Sequence, residues 1–308
     1  MITKCGYVAV MGKPNSGKST FLNQVIGQKL ALVSHKANAT RKKMNFILPF
    51  SKDEEQSQII FVDTPGLHYQ EKLLNQFMLK ESLRAYEDSD LILFFTTPKD
   101  GLKAYEEFLN LENTLAGEIK KTKQYKPHIV LLNKIDLISQ EDLLSLLSLF
   151  KKYQEYFLDI VPFSAKKNLG IESLLKSIHH HLPYSPHLYD MDHLTDTNLR
   201  EIYADFILES IFEKLSDEIP YESSVQIEKV IELSHIEKIF AKIFVQKESQ
   251  KAMVIGKHAE TIKRIGKLAR MKIETLIQKK VYLELNVFVE KWSKDKETLK
   301  KFGYDFEL

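Results

Sequence analysis

The chain has 308 residues, a length for two domains of ordinary size, and its 44% hydrophobic content supports a sizeable core. With 28% charged residues, 9 prolines and 11 glycines, the composition excludes a collagen-like, low-complexity or largely disordered chain. Forty-four basic against 42 acidic residues leave a net charge of +2, no bulk basic footprint for nucleic acid, and the single cysteine, Cys5, excludes an internal disulfide and reads as an inert thiol in a reducing compartment.

Residues 1–6 lead into a strand-like Tyr7–Met11 without the apolar stretch and cleavage site of a signal peptide. The longest apolar runs, Leu91–Phe95 and Ile129–Leu132, fall far short of the roughly 20 residues a membrane-spanning helix needs, so a cytoplasmic protein is expected. Over the first 180 or so residues, short aliphatic or β-branched runs recur at Tyr7–Met11, Ile59–Val62, Leu91–Phe95, Ile129–Leu132 and Ile160–Phe163, with helical segments between them. That rhythm predicts βα units and an α/β fold with a mostly parallel, doubly wound sheet. Pro183 and Pro186, followed by Asp190, Asp192, Thr195 and Asp196, break it. The expected division is a first domain at 1–181, a linker at 182–196 and a second domain at 197–308.

The second domain opens with an amphipathic helix over Asn198–Leu215, then strands at Val225–Leu233 and Ile239–Val245. A glycine turn at Gly256 follows, then a helix carrying Ile262, Ile265, Ala269, Ile273 and Leu276, and a last strand over Val281–Val289. An α+β domain of order α, β, β, helix pair, β is expected, and no internal repeat is found.

After the first strand stands Gly12-Lys13-Pro14-Asn15-Ser16-Gly17-Lys18-Ser19, a full match to GxxxxGK[ST], with Thr20 entering a helix. Loop amides and the helix amino terminus suit a phosphate, Lys18 reaches the β and γ phosphates, and the Ser19 hydroxyl suits Mg²⁺. Strand ends downstream are where the rest of a ligand site belongs. Asp63-Thr64-Pro65-Gly66 follows the strand Ile59–Val62: the carboxylate suits a water-held Mg²⁺, and the Gly66 amide can approach a γ phosphate. Asn133-Lys134-Ile135-Asp136 follows Ile129–Leu132. Guanine offers two adjacent N–H donors to the Asp136 carboxylate, and adenine does not. The Lys134 stem can cover the base and Asn133 can tie this loop to the phosphate loop. Ser164-Ala165-Lys166 follows Ile160–Phe163 and would supply the Ala165 amide to guanine O6. Four motifs in order, each at a strand end, point to a Mg²⁺-dependent P-loop GTPase that cycles between GTP and GDP.

Together these motifs resemble the translation-factor-related GTPases, and Gly12–Thr20 with Asp63–Gly66 is most similar to the Era family. That family carries Thr-Thr-Arg in its first switch. Here Asn38-Ala39-Thr40-Arg41 keeps only the second threonine, so the resemblance assigns Thr40 to Mg²⁺ and the γ-phosphate. Leu67 stands where Ras-like enzymes place a water-orienting glutamine, so hydrolysis must draw on another polar group, a backbone carbonyl or a cation. Asn15 matches the asparagine that helps hold K⁺ in some relatives. K⁺ activation is therefore held as a hypothesis, which equal turnover in K⁺ and Na⁺ would remove.

Charge in the second domain is polarised. Residues 196–222 hold eight acidic and two basic residues, whereas 251–280 hold nine basic and two acidic. A solvated lysine face on a helix explains such a run as well as phosphate contacts do. The segment Gly256-Lys257-His258-Ala259, leading into Lys263, Arg264, Lys267 and Arg270, resembles the GxxG clamp of a KH domain of the bacterial, type II order, and the resemblance makes these eight residues the RNA-binding set. Ala259 replaces the second glycine, which puts the tightness of the clamp in question. With Tyr282–Leu285 and Leu299–Tyr304, the similarity to the Era family covers nearly the whole chain. It implies binding to the 3′ region of 16S rRNA, a role in maturing the small (30S) ribosomal subunit, and peripheral contact with the cytoplasmic membrane; a monomer is expected. The alternatives are an RNA-binding scaffold with a structural, nearly inactive nucleotide site, and a GTPase whose basic domain docks on membrane or protein.

His179, His180 and His181 point in different directions on a helix and are expected at the surface rather than around a metal. Phe94, Phe95, Phe206 and Phe212 are expected in the core, and Trp292 against the C-terminal tail, with base stacking as its alternative.

Overall fold

The computed structural model describes residues 2–26, 44–64, 73–119, 125–190, 195–215 and 219–302. It forms two compact units, with the chain passing from the first to the second between Asp196 and Thr197. The first holds a six-stranded sheet in the order β2-β3-β1-β4-β5-β6: β1 Ile2–Gly12, β2 Met44–Lys52, β3 Glu55–Asp63, β4 Leu91–Thr96, β5 His128–Leu132 and β6 Asp159–Pro162. Its helices are α1 Lys18–Ile26, the part of α2 Leu73–Asp88 from Glu81 onward, α3 Gly101–Ile119, α4 Gln140–Phe150 and α5 Ile171–His181. Every neighbouring pair is parallel except β2 with β3.

Parallel strands covered on both faces need unbroken apolar runs, and β4 and β5 are buried at every position. Successive side chains then feed opposite layers. Phe94 joins Tyr105, Phe108 and Phe150 on one side, while Phe95 meets Phe21 and Phe163 on the other. Phe21 lies 5.6 Å from Phe61 and 5.9 Å from Phe163, so these rings seat the first turns of α1 on the sheet. The register puts Val10 beside Asp63 and Gly12 beside Phe95, which levels the strand ends that carry the motifs.

β2 was not anticipated. Pro49 interrupts its pattern, and it is tolerated because β2 is the edge strand, paired along its length with β3 and, among the described residues, bridged on its outer side only at Phe46, by Thr195. Residues 183–189 are docked rather than loose: Cys5 N–H donates to Pro183 O, and the buried Gln58 carboxamide accepts from the Leu188 and Tyr189 amides while donating to Tyr189 O. His179 corrects the expectation of a histidine surface. It sits on the apolar stripe of α5 with Leu174 and Ile178, is 4% exposed, and its ring meets Ser57 Oγ at 3.1 Å and Glu55 at 3.2 Å. Among the described residues no three metal-ligating side chains gather.

The second unit comprises α6 Leu199–Lys214, β7 Ser224–Glu232, β8 Ile236–Val245, α7 Glu248–Ile255, α8 Glu260–Ile277, β9 Lys280–Val289 and α9 Lys296–Lys301. Its sheet runs β7-β8-β9, antiparallel then parallel. α6 and α8 cover one face, with Ile207, Ile211, Ala241, Ile243, Val254, Ile265 and Ala269 between. The Asn198 side chain caps α6, whose Glu209 is buried and paired with Lys272 at 2.6 Å; the same ammonium reaches Glu213 at 2.6 Å. One charge of the basic segment is thus consumed inside the fold. Trp292 is fully buried, donates its indole N–H to Glu222 O and packs 5.9 Å from Phe302, which makes it a packing residue.

Candidate functional site

The phosphate loop joins β1 to α1. Asn15 projects into solvent in a left-handed conformation, Pro14 is half-buried, and Lys13 makes an exposed ion pair with Glu107 at 2.6 Å. Lys18 is buried, and its ammonium donates back to Gly12 O at 2.9 Å and Lys13 O at 3.1 Å, which closes the loop. Burial pushes its pKa down to about 8, against the upward pull of the Asp63 carboxylate. Ser16 Oγ is buried without a hydrogen-bond partner, and Ser19 and Thr20 are half-buried at the start of α1. Asp63 is 2% exposed at the end of β3, and Thr64 donates its hydroxyl to Val10 O at 2.8 Å. Thr40, Pro65, Gly66 and Leu67 lie outside the described residues.

Three loops meet at Asn133. Its buried carboxamide donates to Ser16 O at 2.8 Å and accepts from the Lys134 amide at 2.8 Å and the Ala165 amide at 3.0 Å. Lys134 is left-handed and reaches across to donate to Asn15 O at 2.6 Å, so its stem spans from the third motif to the first. Ser164 donates its hydroxyl to Asp136 at 2.6 Å, fixing the half-buried carboxylate. Lys166 is exposed. The Ala165 amide, expected to face a base, is engaged with Asn133, so a bond to guanine O6 requires it to be shared. One end of the sheet thus offers a cation among amides at a helix start, a buried carboxylate beside it, and a second carboxylate oriented by a hydroxyl. That set matches a triphosphate at one end and an adjacent pair of N–H donors at the other.

In the second unit α7 stops at Gly256, whose φ of 73° and ψ of 168° suit glycine alone; a Cβ there would overlap the Thr261 hydroxyl. His258 and Ala259 follow in left-handed conformations with φ of 52° and 60°, so the alanine at the second glycine position of the pattern is held at a strain cost. Lys257 and His258 are exposed at the tip. Beside the turn runs a groove of about 360 Å³ lined by Ile262, Lys263, Gly266, Lys267, Arg270, Leu283 and Leu285. Three of the expected basic residues flank it. Arg264 lies outside its lining and pairs with Glu260. The apolar lining was not singled out from the sequence; its signal is the i, i+4 spacing of Ile262 and Gly266 facing alternate residues of β9.

Gly17 has a φ of 98°, and a Cβ on it would overlap the Asn133 amide nitrogen. Gly17→Ala is therefore expected to cost about 1–3 kcal/mol from backbone strain alone and to detach Asn133 from Ser16. A lowered melting temperature together with lost nucleotide binding checks this; unchanged stability would contradict it.

A family model described as a 50S ribosome-binding GTPase matches residues 7–134, and one described as a KH domain matches residues 209–293. GTPase Era of Helicobacter pylori (strain G27) is 51% identical over 307 residues, covering 99% of this chain and 98% of its own. The crystal structure of an Aquifex aeolicus Era variant bound to GDP·AlF4⁻ superposes with a TM-score of 0.88 at 33% identity, covering 98% of this chain and 100% of that one. A structure of Era with MgGDPNP and nucleotides 1506–1542 of 16S ribosomal RNA superposes with a TM-score of 0.87 at 33% identity, covering 99% and 100%. With both domains matched and half of its residues shared along the full length, the chain belongs to the Era family of GTPases.

Proposed function

We infer that this protein is a GTP-hydrolysing switch that binds the 3′ region of small-subunit ribosomal RNA and acts in maturation of that subunit. The observation that carries the reading is the Asn133 junction, which locks the phosphate loop to the two base-side loops within a chain of the Era family. Lys18 and the loop amides would hold the phosphates, and Asp136 the guanine edge. Ser19 and Asp63, with Thr40, would hold Mg²⁺; the buried Asp63 carboxylate beside Lys18 fits such a site. When bound, the ion neutralises charge on the β and γ oxygens. RNA binding by a solved relative, together with the basic and apolar groove beside Gly256, supports the second half of the reading.

Asp136→Asn tests the guanine assignment. It loses the paired acceptor, so GTP affinity should fall by about 10³ or more, and xanthosine triphosphate, whose C2 oxygen accepts a hydrogen bond from the new amide, should bind better than GTP. An unchanged preference for GTP over ATP would sink the assignment. Multiple-turnover phosphate release stimulated by RNA separates a working switch from a scaffold with an inert site.

Lys18 supplies a pH signature. Its pKa is near 8 in the free fold and is raised when phosphate surrounds it, so nucleotide binding takes up a proton above pH 8. GDP affinity should be flat below pH 7 and weaken about fivefold between pH 8 and 9, with proton uptake visible by calorimetry in two buffers. No pH dependence in that window would contradict the buried-ammonium picture.

The match of Asn15 to the phosphate-loop asparagine of K⁺-binding relatives makes K⁺ the candidate activating ion, and turnover in K⁺ several-fold above that in Na⁺ is the expected result. The buried free thiol of Cys5 accords with a cytoplasmic setting, and among the described residues no helix is long and apolar enough to cross a membrane.

A further inference from the structure

A sheet with one face on a helical core and the other toward solvent normally alternates apolar and polar residues. In the second unit the inner face obeys this: Ala241, Ile243, Leu283, Leu285 and Val287 pack on the core. The outer face does not. Register places Lys238 opposite Tyr282, Phe240 opposite Glu284 and Phe244 opposite Phe288, with Lys229 beside Phe240 on the other flank. Phe302 covers Phe244, but Tyr282 remains 47% and Phe288 42% exposed, and the half-buried Phe240 ring lies 6.2 Å from that of Tyr282. Rings held outward on an open sheet, interleaved with lysines, are available to stack on a partner.

We propose that this outer face is a second RNA-binding platform, on which bases of a strand extending beyond the α8–β9 groove stack on Phe240, Tyr282 and Phe288 while Lys229, Lys238 and Lys242 meet its phosphates. Lysine is depleted at protein–protein interfaces, whereas aromatic rings interleaved with cations on an open sheet match the chemistry of single-stranded RNA. Lys242 already lies 5.6 Å from the Phe288 ring centroid, and among the described residues neither Lys229 nor Lys238 is held in an ion pair. Two carboxylates shape the face. Glu284 accepts the Tyr282 hydroxyl at 3.2 Å and the Asn286 amide at 3.2 Å, which steadies the ring, while Glu228 holds Lys242 at 2.7 Å until a phosphate replaces it. The platform is continuous with the groove because β9 is the edge of its sheet: Leu283 and Leu285 line the groove on one side of the strand, and Tyr282 stands on the other. This inference rests on reading that groove as an RNA site.

The test measures full-length chain binding to RNA of nucleotides 1506–1542 of 16S rRNA and to single-stranded pentamers cut from its 3′ end. Tyr282→Ser with Phe288→Ser should weaken the long RNA on the order of tenfold or more, a stacking loss of one base or greater, and leave the tightest pentamer unchanged. Tyr282→Phe should retain affinity for the long RNA. Both side chains are exposed, so thermal melts should match the parent. Gly266→Leu, which fills the groove from a helical position where a Cβ meets only Leu285 at 3.5 Å, should weaken both RNAs. Unchanged long-RNA affinity in the double serine variant, with the Gly266→Leu loss present, overturns the platform and leaves the groove standing. Full affinity in Gly266→Leu overturns the groove reading itself. Loss of a protein partner from the serine variant without any loss of RNA also overturns the platform.

Discussion

Asn133 is the joint on which the nucleotide site depends. Its buried carboxamide uses both ends at once, donating to the phosphate loop and accepting from the two amides that position the base-side loops. A buried amide left unpaired costs on the order of 1–3 kcal/mol, so each of these loops is held in place by the penalty for releasing it. The arrangement also explains Gly17, since any side chain there would occupy the space of the Asn133 amide. Binding of the phosphate and recognition of the base are thus not independent.

Lys18 adds an electrostatic tension to this mechanical joint. The same burial that lowers its pKa withholds water from it, and Gly12 O and Lys13 O are a modest replacement for a hydration shell. Polyanionic phosphate relieves that cost. With its pKa near 8 the ammonium is already mostly charged at neutral pH, so phosphate favours it there by replacing lost hydration, and restores the charge itself only above about pH 8.

Much of this was legible in sequence where the signal is local. The phosphate loop, Asp63, Asn133–Asp136 and Ser164–Lys166 each lie within a few residues at the end of an apolar run, and the parallel register sets those ends side by side. What escaped notice depends on partners far away in the chain. β2 looks broken by Pro49 until its edge position is known, and His179 looks solvated until α5 is laid on β3 with Glu55 and Ser57. Leu283 and Leu285 read as ordinary core until α8 leaves them at the floor of a groove. The charge polarity of the second domain was visible, but the capture of Lys272 by Glu209 and Glu213 was not, because it needs α6 against α8.

β9 pairs with β8 over ten consecutive positions, from Lys280 to Val289. Side chains on a strand alternate with a period of two, so a slip of one residue would exchange its faces wholesale. Leu283 and Leu285 would turn to solvent, and Tyr282 with Glu284 would be driven into the apolar layer. The turn at Gln278, left-handed with a φ of 54° between α8 and β9, therefore acts as a register stop. Insertions or deletions at that turn should be among the least tolerated in the second domain, because they would scramble two surfaces at once while leaving every residue of both still present.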